Sequence, residues 1–154
     1  MSTAPGAGRW SYEVSGSTGA AIETVWTLVA EAERWKEWSF LTRSSLLHEG
    51  SPDPDGVGAL RRFAVGRTGS EEEVVVFDPP THLAYEARRG LPVRYYRGDV
   101  RLRREGAGTA ITWSGVLEPK WPGTGRLALA YTRLFARRFT RELVRYADRK
   151  AAAT

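Results

Sequence analysis

Along this 154-residue chain the spacing of apolar and polar residues changes three times, from alternation to helical period, back to alternation, and again to helical period. Residues 9–15 alternate, with Trp10, Tyr12 and Val14 on one side, which is the period of a strand lying on a core. Ser15-Gly16-Ser17-Thr18-Gly19 then interrupts, and Ser17 is placed to cap a helix. Residues 20–32 have helical spacing through Ile22, Val25, Trp26 and Val29, and residues 31–38 continue as a second short helix carrying Trp35 and Trp38. A serine-rich stretch leads into a short strand over 46–49, and Ser51-Pro52-Asp53-Pro54-Asp55-Gly56 reads as a loop.

From residue 58 onward the period is that of strands divided by turn signals. Residues 59–66 turn at Arg67-Thr68-Gly69, and residues 71–78 end at Pro79-Pro80. Residues 82–89 turn at Gly90-Leu91-Pro92, and residues 94–105 and 109–118 are joined at Gly106-Ala107-Gly108. Consecutive strands with short turns predict an antiparallel meander. One face gathers Ile111, Trp113 and Leu117 with Tyr96, Gly98, Val100 and Leu102, opposed by Arg97, Asp99, Arg101 and Arg103. Leu83, Tyr85 and Ala87 extend that face, and so do Ala59, Phe63 and Val65. Val74 to Phe77 is apolar throughout and carries no phase.

Residues 123–150 form the last element, a helix of ~40 Å free of proline and glycine beyond Gly125. Leu127, Tyr131, Leu134, Phe135, Phe139, Leu143 and Tyr146 recur at spacings of three and four, predicting a stripe that lies on the sheet and partly roofs a cavity. Arg126, Arg133, Arg137, Arg141, Arg145 and Arg149 fall mostly on the other side. The predicted fold class is therefore α+β: strand, two short helices, six strands and a long helix.

Composition narrows the chemistry. There is no cysteine, which excludes disulfides, thiolate metal sites and a cysteine nucleophile. The net charge of +5 hides an asymmetry, since residues from Lys120 onward sum to +7 and the rest to −2. Twenty of the 23 basic residues are arginine, which reads as coding bias and a solvated helix face. An anionic membrane or nucleic acid remains the alternative partner for that face. No apolar run has the length to span a bilayer and no signal peptide is visible, so a soluble cytoplasmic protein is expected. Residues 1–8 and 151–154 read as tails around one domain, 9–150.

Few residues suggest catalysis. His48 and His82 sit on separate elements without partners at ligand spacing, so no metal site is expected, and no Gly-x-Ser-x-Gly elbow exists. Glu71-Glu72-Glu73 reads as the solvated end of a hairpin, although one inward carboxylate would supply a general base. Arg62, Arg97 and Arg138 are the cations that a slight rotation would aim inward, to orient or polarise a ligand carbonyl. Trp35 and Trp38 read as anchors that close the sheet against the helix, or as the wall of a ligand entrance.

The chain resembles the START/Bet v 1-like superfamily and, within it, the polyketide cyclase/dehydrase-like group. The likeness rests on Val25-Trp26, Glu33-Arg34-Trp35-Lys36-Glu37-Trp38, Gly56-Val57-Gly58, Glu73-Val74 through Asp78-Pro79-Pro80, Leu83-Ala84-Tyr85, Gly108-Thr109 through Thr112-Trp113, and the terminal helix. It implies a helix-grip fold, a curved seven-stranded antiparallel sheet around the C-terminal helix with a cavity for lipids, polyketides or other apolar ligands. Catalytic residues are poorly shared within the superfamily, so none is carried over. Aromatic residues facing the predicted interior give the candidate ligand site: Trp26, Trp38, Phe63, Tyr85, Tyr96, Trp113, Leu117, Tyr131 and Phe135. Binding of a small hydrophobic ligand without a cofactor is the expected function, with polyketide cyclisation or dehydration in the same cavity as the alternative. A monomer or a dimer is compatible with the sequence.

Overall fold

The computed structural model describes residues 8–153. Seven strands form one antiparallel sheet: β1 (Trp10–Thr18), β2 (Arg43–His48), β3 (Leu60–Val65), β4 (Thr68–Asp78), β5 (His82–Arg89), β6 (Val93–Glu105) and β7 (Gly108–Pro119). Between β1 and β2 lie helix α1 (Ile22–Ala30), a single 3₁₀ turn (Ala32–Arg34) and helix α2 (Trp35–Trp38), and helix α3 (Gly125–Ala152) closes the chain. The spatial order β1-β7-β6-β5-β4-β3-β2 is a meander in which β1 returns to pair with β7. The seven-stranded helix-grip architecture expected of the sequence is the one observed. The tail expected over 1–8 lies outside the described residues apart from Gly8, while α3 runs two residues into the segment read as the C-terminal tail.

Local details correct the sequence reading where turns are tighter than composition suggests. The β3–β4 turn is Gly66-Arg67, because Val65 already pairs with Thr68. Gly66 and Gly106 supply the positive φ, +59° and +60°, that two-residue hairpin turns need. Ser17 belongs to β1 and contacts Glu105 instead of capping α1, whose N-cap Ala21 makes no side-chain hydrogen bond. At its other end α1 is finished by the tryptophans. The indole N–H of Trp38 donates to Leu28 O and that of Trp35 to Val29 O, both at 2.9 Å, which satisfies carbonyls that a helix terminus otherwise leaves unpaired.

Register irregularities explain why 74–77 has no legible phase. The β4–β5 ladder slips between Glu71 and Glu72 and again between Val74 and Val76. Glu72, Val74 and Phe77 consequently pair with Ala87, Tyr85 and Leu83, all on the concave side, where Phe77 meets Trp26 edge to face at 5.3 Å. Such bulges also bend the strand and help the sheet curve.

The helix stripe is the main correction to the fold. Leu127, Tyr131 and Leu134 are exposed, and the buried line is Gly125, Thr132, Ala136, Thr140, Leu143 and Ala147. Small side chains let α3 lie close on β1 and β7. A Cβ added to Gly16 of β1 would stand 2.9 Å from Thr140 Cγ2. The two threonine hydroxyls cost little here, because each donates to the carbonyl four residues back, Ala128 at 2.9 Å and Ala136 at 2.8 Å. Phe135 and Phe139 flank this line and reach the aromatic cluster of Trp35, Trp38, Phe40 and Trp113.

Candidate functional site

Because α3 hugs one end of the sheet, the curved remainder stands away from it, and a cavity of about 180 Å³ lies between them. Its walls are Trp35, Phe40, Leu41 and Phe63 on one side and Thr132, Phe135, Ala136 and Phe139 of α3 on the other. The mouth is bordered by Val65, Thr68, Gly69, Gly90 and Leu91 of the strand turns and by Tyr131 of the helix. At the opposite, inner end stand Tyr12, Glu72, Tyr85, Tyr96 and Trp113, all buried.

Two glycines make that inner end. Gly98 of β6 pairs directly with Gly115 of β7, which leaves a strip of sheet without side chains. A Cβ on Gly98 would come 2.5 Å from Tyr85 Cζ, and one on Gly115 would come within 2.5 Å of Tyr12 Cζ. The tyrosine rings therefore lie over bare backbone, and a strand glycine here marks a close approach. Trp113 Nε1–H donates to Tyr85 Oη at 3.0 Å, and the Tyr12 and Tyr96 hydroxyls hydrogen-bond each other. Each arrangement leaves one phenolic proton without an acceptor among the described residues: that of Tyr85 and one from the Tyr12–Tyr96 pair. Burial holds all three phenols well above the ordinary tyrosine range, so they stay protonated donors at neutral pH.

At the inner end lies a buried ion pair, its arginine fully enclosed and its carboxylate on the cavity wall. Arg61 of β3, directly opposite Glu72 of β4, is fully buried and donates from Nη2 to Glu72 Oε1 at 2.9 Å. Its guanidinium carbon sits 5.0, 4.9 and 5.0 Å from the ring centres of Trp35, Phe63 and Tyr85. Nη1 reaches Val29 O at 3.5 Å, and Nε has no hydrogen-bond partner among the described residues. Burial pushes the Glu72 carboxyl above its usual value, and Arg61 opposes the shift by charge and hydrogen bond. The pair thus brings a carboxylate of raised basicity to the edge of an apolar cavity.

Of the residues expected at a ligand site, Phe63, Tyr85, Tyr96, Trp113, Tyr131 and Phe135 line the cavity. Trp26, Trp38 and Leu117 do not. Trp26 packs on Phe77, Trp38 is turned into the end of α1 by its bond to Leu28, and Leu117 is fully buried in the sheet core. The expected cations are also displaced. Arg62 is exposed, Arg97 pairs with Asp99 at 3.1 Å, and Arg138 lies 4.1 Å over the Phe40 ring while pairing with Glu142 at 3.4 Å. Arg61 is the inward one, and its signal was available, since it shares the phase of Ala59 and Phe63. Glu72 overturns the reading of the glutamate run as wholly solvated, for the register slip at Glu71/Glu72 turns it inward. Tyr12 was legible as inward-facing but not as a neighbour of Tyr96. His82 bonds Asp99 at 2.7 Å, and no cluster of three metal-binding side chains occurs among the described residues.

The family profile described as polyketide cyclase / dehydrase and lipid transport matches residues 9–149. Among solved structures the chain is similar to a START superfamily protein from Mycobacterium smegmatis, at 13% identity and TM-score 0.75, covering 90% of this chain and 97% of that one. It is also similar to an uncharacterized protein from Bacillus thuringiensis, at 18% identity and TM-score 0.74 over 90% and 98% of the two chains. Ara h 8.0201 superposes at 11% identity and TM-score 0.73 over 91% and 98%. At these identities the likeness is one of fold. No curated protein matches the sequence.

Proposed function

Since the chain belongs to the polyketide cyclase / dehydrase and lipid transport family, we propose that it binds a small apolar molecule carrying a carbonyl or hydroxyl oxygen, held between the sheet and α3. The observation that carries this reading is the polarity of the cavity: aromatic and aliphatic along its walls, with phenolic donors and one carboxylate gathered at the inner end. A cavity of about 150 Å³ holds a benzene ring, so about 180 Å³ suits one ring or two fused rings, with any longer chain leaving by the mouth. The ligand oxygen would accept from Tyr85 or from the Tyr12–Tyr96 pair, because a buried donor is satisfied only when occupied.

Titration with α-naphthol and with naphthalene, followed by the fluorescence of Trp35 and Trp113, tests this. The hydroxylated ring should bind more tightly, and Ala136→Leu, which fills the cavity from the helix side, should abolish binding of both. Equal binding to the filled variant, or no response to either probe, would refute it.

A second reading, cyclisation or dehydration, is favoured by Glu72 alone. A carboxylate beside a held carbonyl takes a proton from the neighbouring carbon, and the C–H electrons move onto the oxygen bound by the phenols. The resulting enolate carbon would then attack a second carbonyl of the same ligand, forming a C–C bond as that carbonyl's π electrons move onto its oxygen, which takes the proton back from Glu72. Hydrogen–deuterium exchange at the carbon next to the carbonyl of α-tetralone isolates the first step. Exchange that is lost in Glu72→Gln while naphthol still binds supports catalysis; exchange equal in both proteins leaves only the binding role.

A further inference from the structure

The side chains that the periodicity aimed at the core and the fold turned outward make a surface of their own. Leu127, Tyr131 and Leu134 lie one and two turns apart on the outer side of α3, 75%, 46% and 65% exposed, and Trp121 in the preceding turn is 55% exposed. Arg126, Arg133 and Arg137 form the adjacent stripe. From Lys120 to Arg141 there are six cations and no acidic residue. Among the described residues the side chains of Arg126, Arg133, Arg137 and Arg141 make no ion pair or hydrogen bond, and Lys120 lies 5.3 Å over the Trp121 ring.

We propose that this face of α3, with the Trp121 turn, docks on an anionic lipid surface. Aliphatic and aromatic side chains framed by unpaired arginines on a helix of low overall hydropathy are what a helix lying in a membrane interface requires. Leu127 and Leu134 gain only where an apolar phase takes them up, and the arginines gain only beside negative charge. Nucleic acid would satisfy the second condition but not the first. A second copy of the chain, placed symmetrically on the same patch, would meet the first while bringing like charges together. The patch is continuous with the cavity mouth, for Tyr131 belongs to both, and Val65 on the opposite rim is also exposed. An apolar ligand could therefore pass between bilayer and cavity without crossing water, although docking itself does not depend on the cavity being filled.

Vesicle flotation of the full chain tests the proposal, using phosphatidylcholine alone and phosphatidylcholine mixed with phosphatidylglycerol. The protein should float with the mixed vesicles and stay behind with the neutral ones. Leu127→Ser/Leu134→Ser should lower the partition coefficient about tenfold, and each of Arg133→Gln and Arg137→Gln about fivefold. All these side chains are exposed, so the unfolding temperature should not move, and a variant that keeps it while losing flotation locates the surface. Retention in the aqueous phase, equal binding to neutral vesicles, or full flotation of the leucine variant would overturn the proposal. So would light scattering that shows a dimer broken by the leucine substitutions, or binding to a DNA duplex that those substitutions leave intact while flotation is absent.

Discussion

Replacing Arg61 by Met isolates the buried pair on which the inner end of the cavity rests. The substitution keeps an unbranched apolar stem of similar reach and removes the charge, leaving Glu72 desolvated with its only ionic partner gone. Breaking one side of a buried pair costs about 3–5 kcal/mol. For a chain of this length that is a fall of about 6–20 °C in unfolding temperature. The pH dependence carries a second signature. Glu72 already has a folded pKa above its unfolded one, so its stability contribution is full below the unfolded pKa and is lost as pH rises through the folded pKa. Removing Arg61 raises the folded pKa further and widens that window. The variant should therefore be closer to wild type in mildly acid buffer and fall behind as pH approaches neutrality. Arg61→Met/Glu72→Leu should recover most of the loss, because neither charge then needs solvation. Calorimetric or circular-dichroism melts across that pH range make the measurement. A single variant within about 1 kcal/mol of wild type near neutrality, or a loss that is the same at every pH, would refute the account of a pair sustained by Arg61.

Gly98→Ala should lift Tyr85 off β6 and destabilise by about 1–3 kcal/mol, read as a lower denaturant midpoint at unchanged slope. Tyr85→Phe leaves the indole N–H of Trp113 without its acceptor, so about 1–3 kcal/mol of stability should be lost; a near-ultraviolet signal from Trp113 that is unchanged would speak against that contact. Gly16→Val should push α3 away from β1 at Thr140, which chemical denaturation would register as a loss of about 1–3 kcal/mol, whereas Gly19→Val, with open space at its Cβ, should be nearly neutral by the same measurement.

The alternation of β6 and β7 was legible because both strands have one dry and one wet face, which by itself assigns Tyr96, Val100, Ile111 and Trp113 to the interior. The same logic failed at β4, where two register slips within six residues reverse the facing side and hide Glu72 among carboxylates that look solvated. Arg61 was missed for a related reason. Charge argues for solvent, and only the pairing of β3 with β4 supplies the carboxylate, and with Trp35, Phe63 and Tyr85 the aromatic walls, that make a buried guanidinium tolerable. Along α3 periodicity identified the helix and the inward Phe135, Phe139 and Leu143, but it misplaced Leu127 and Leu134, since hydrophobicity favours them while close contact with β1 and β7 favours Ala136, Thr140 and Gly125.

By itself the sequence determined the order of elements, their antiparallel pairing, the long terminal helix and the absence of cysteine chemistry. Those follow from local periodicity and turn residues, which act over a few positions. Tertiary structure alone decided which charges are buried, how close α3 lies to the sheet, and that an apolar stripe is left exposed beside the cavity mouth. These depend on contacts between segments far apart in the chain, from the 11 residues between Arg61 and Glu72 to the 124 between Gly16 and Thr140, and no local pattern encodes how far apart two packed surfaces come to rest.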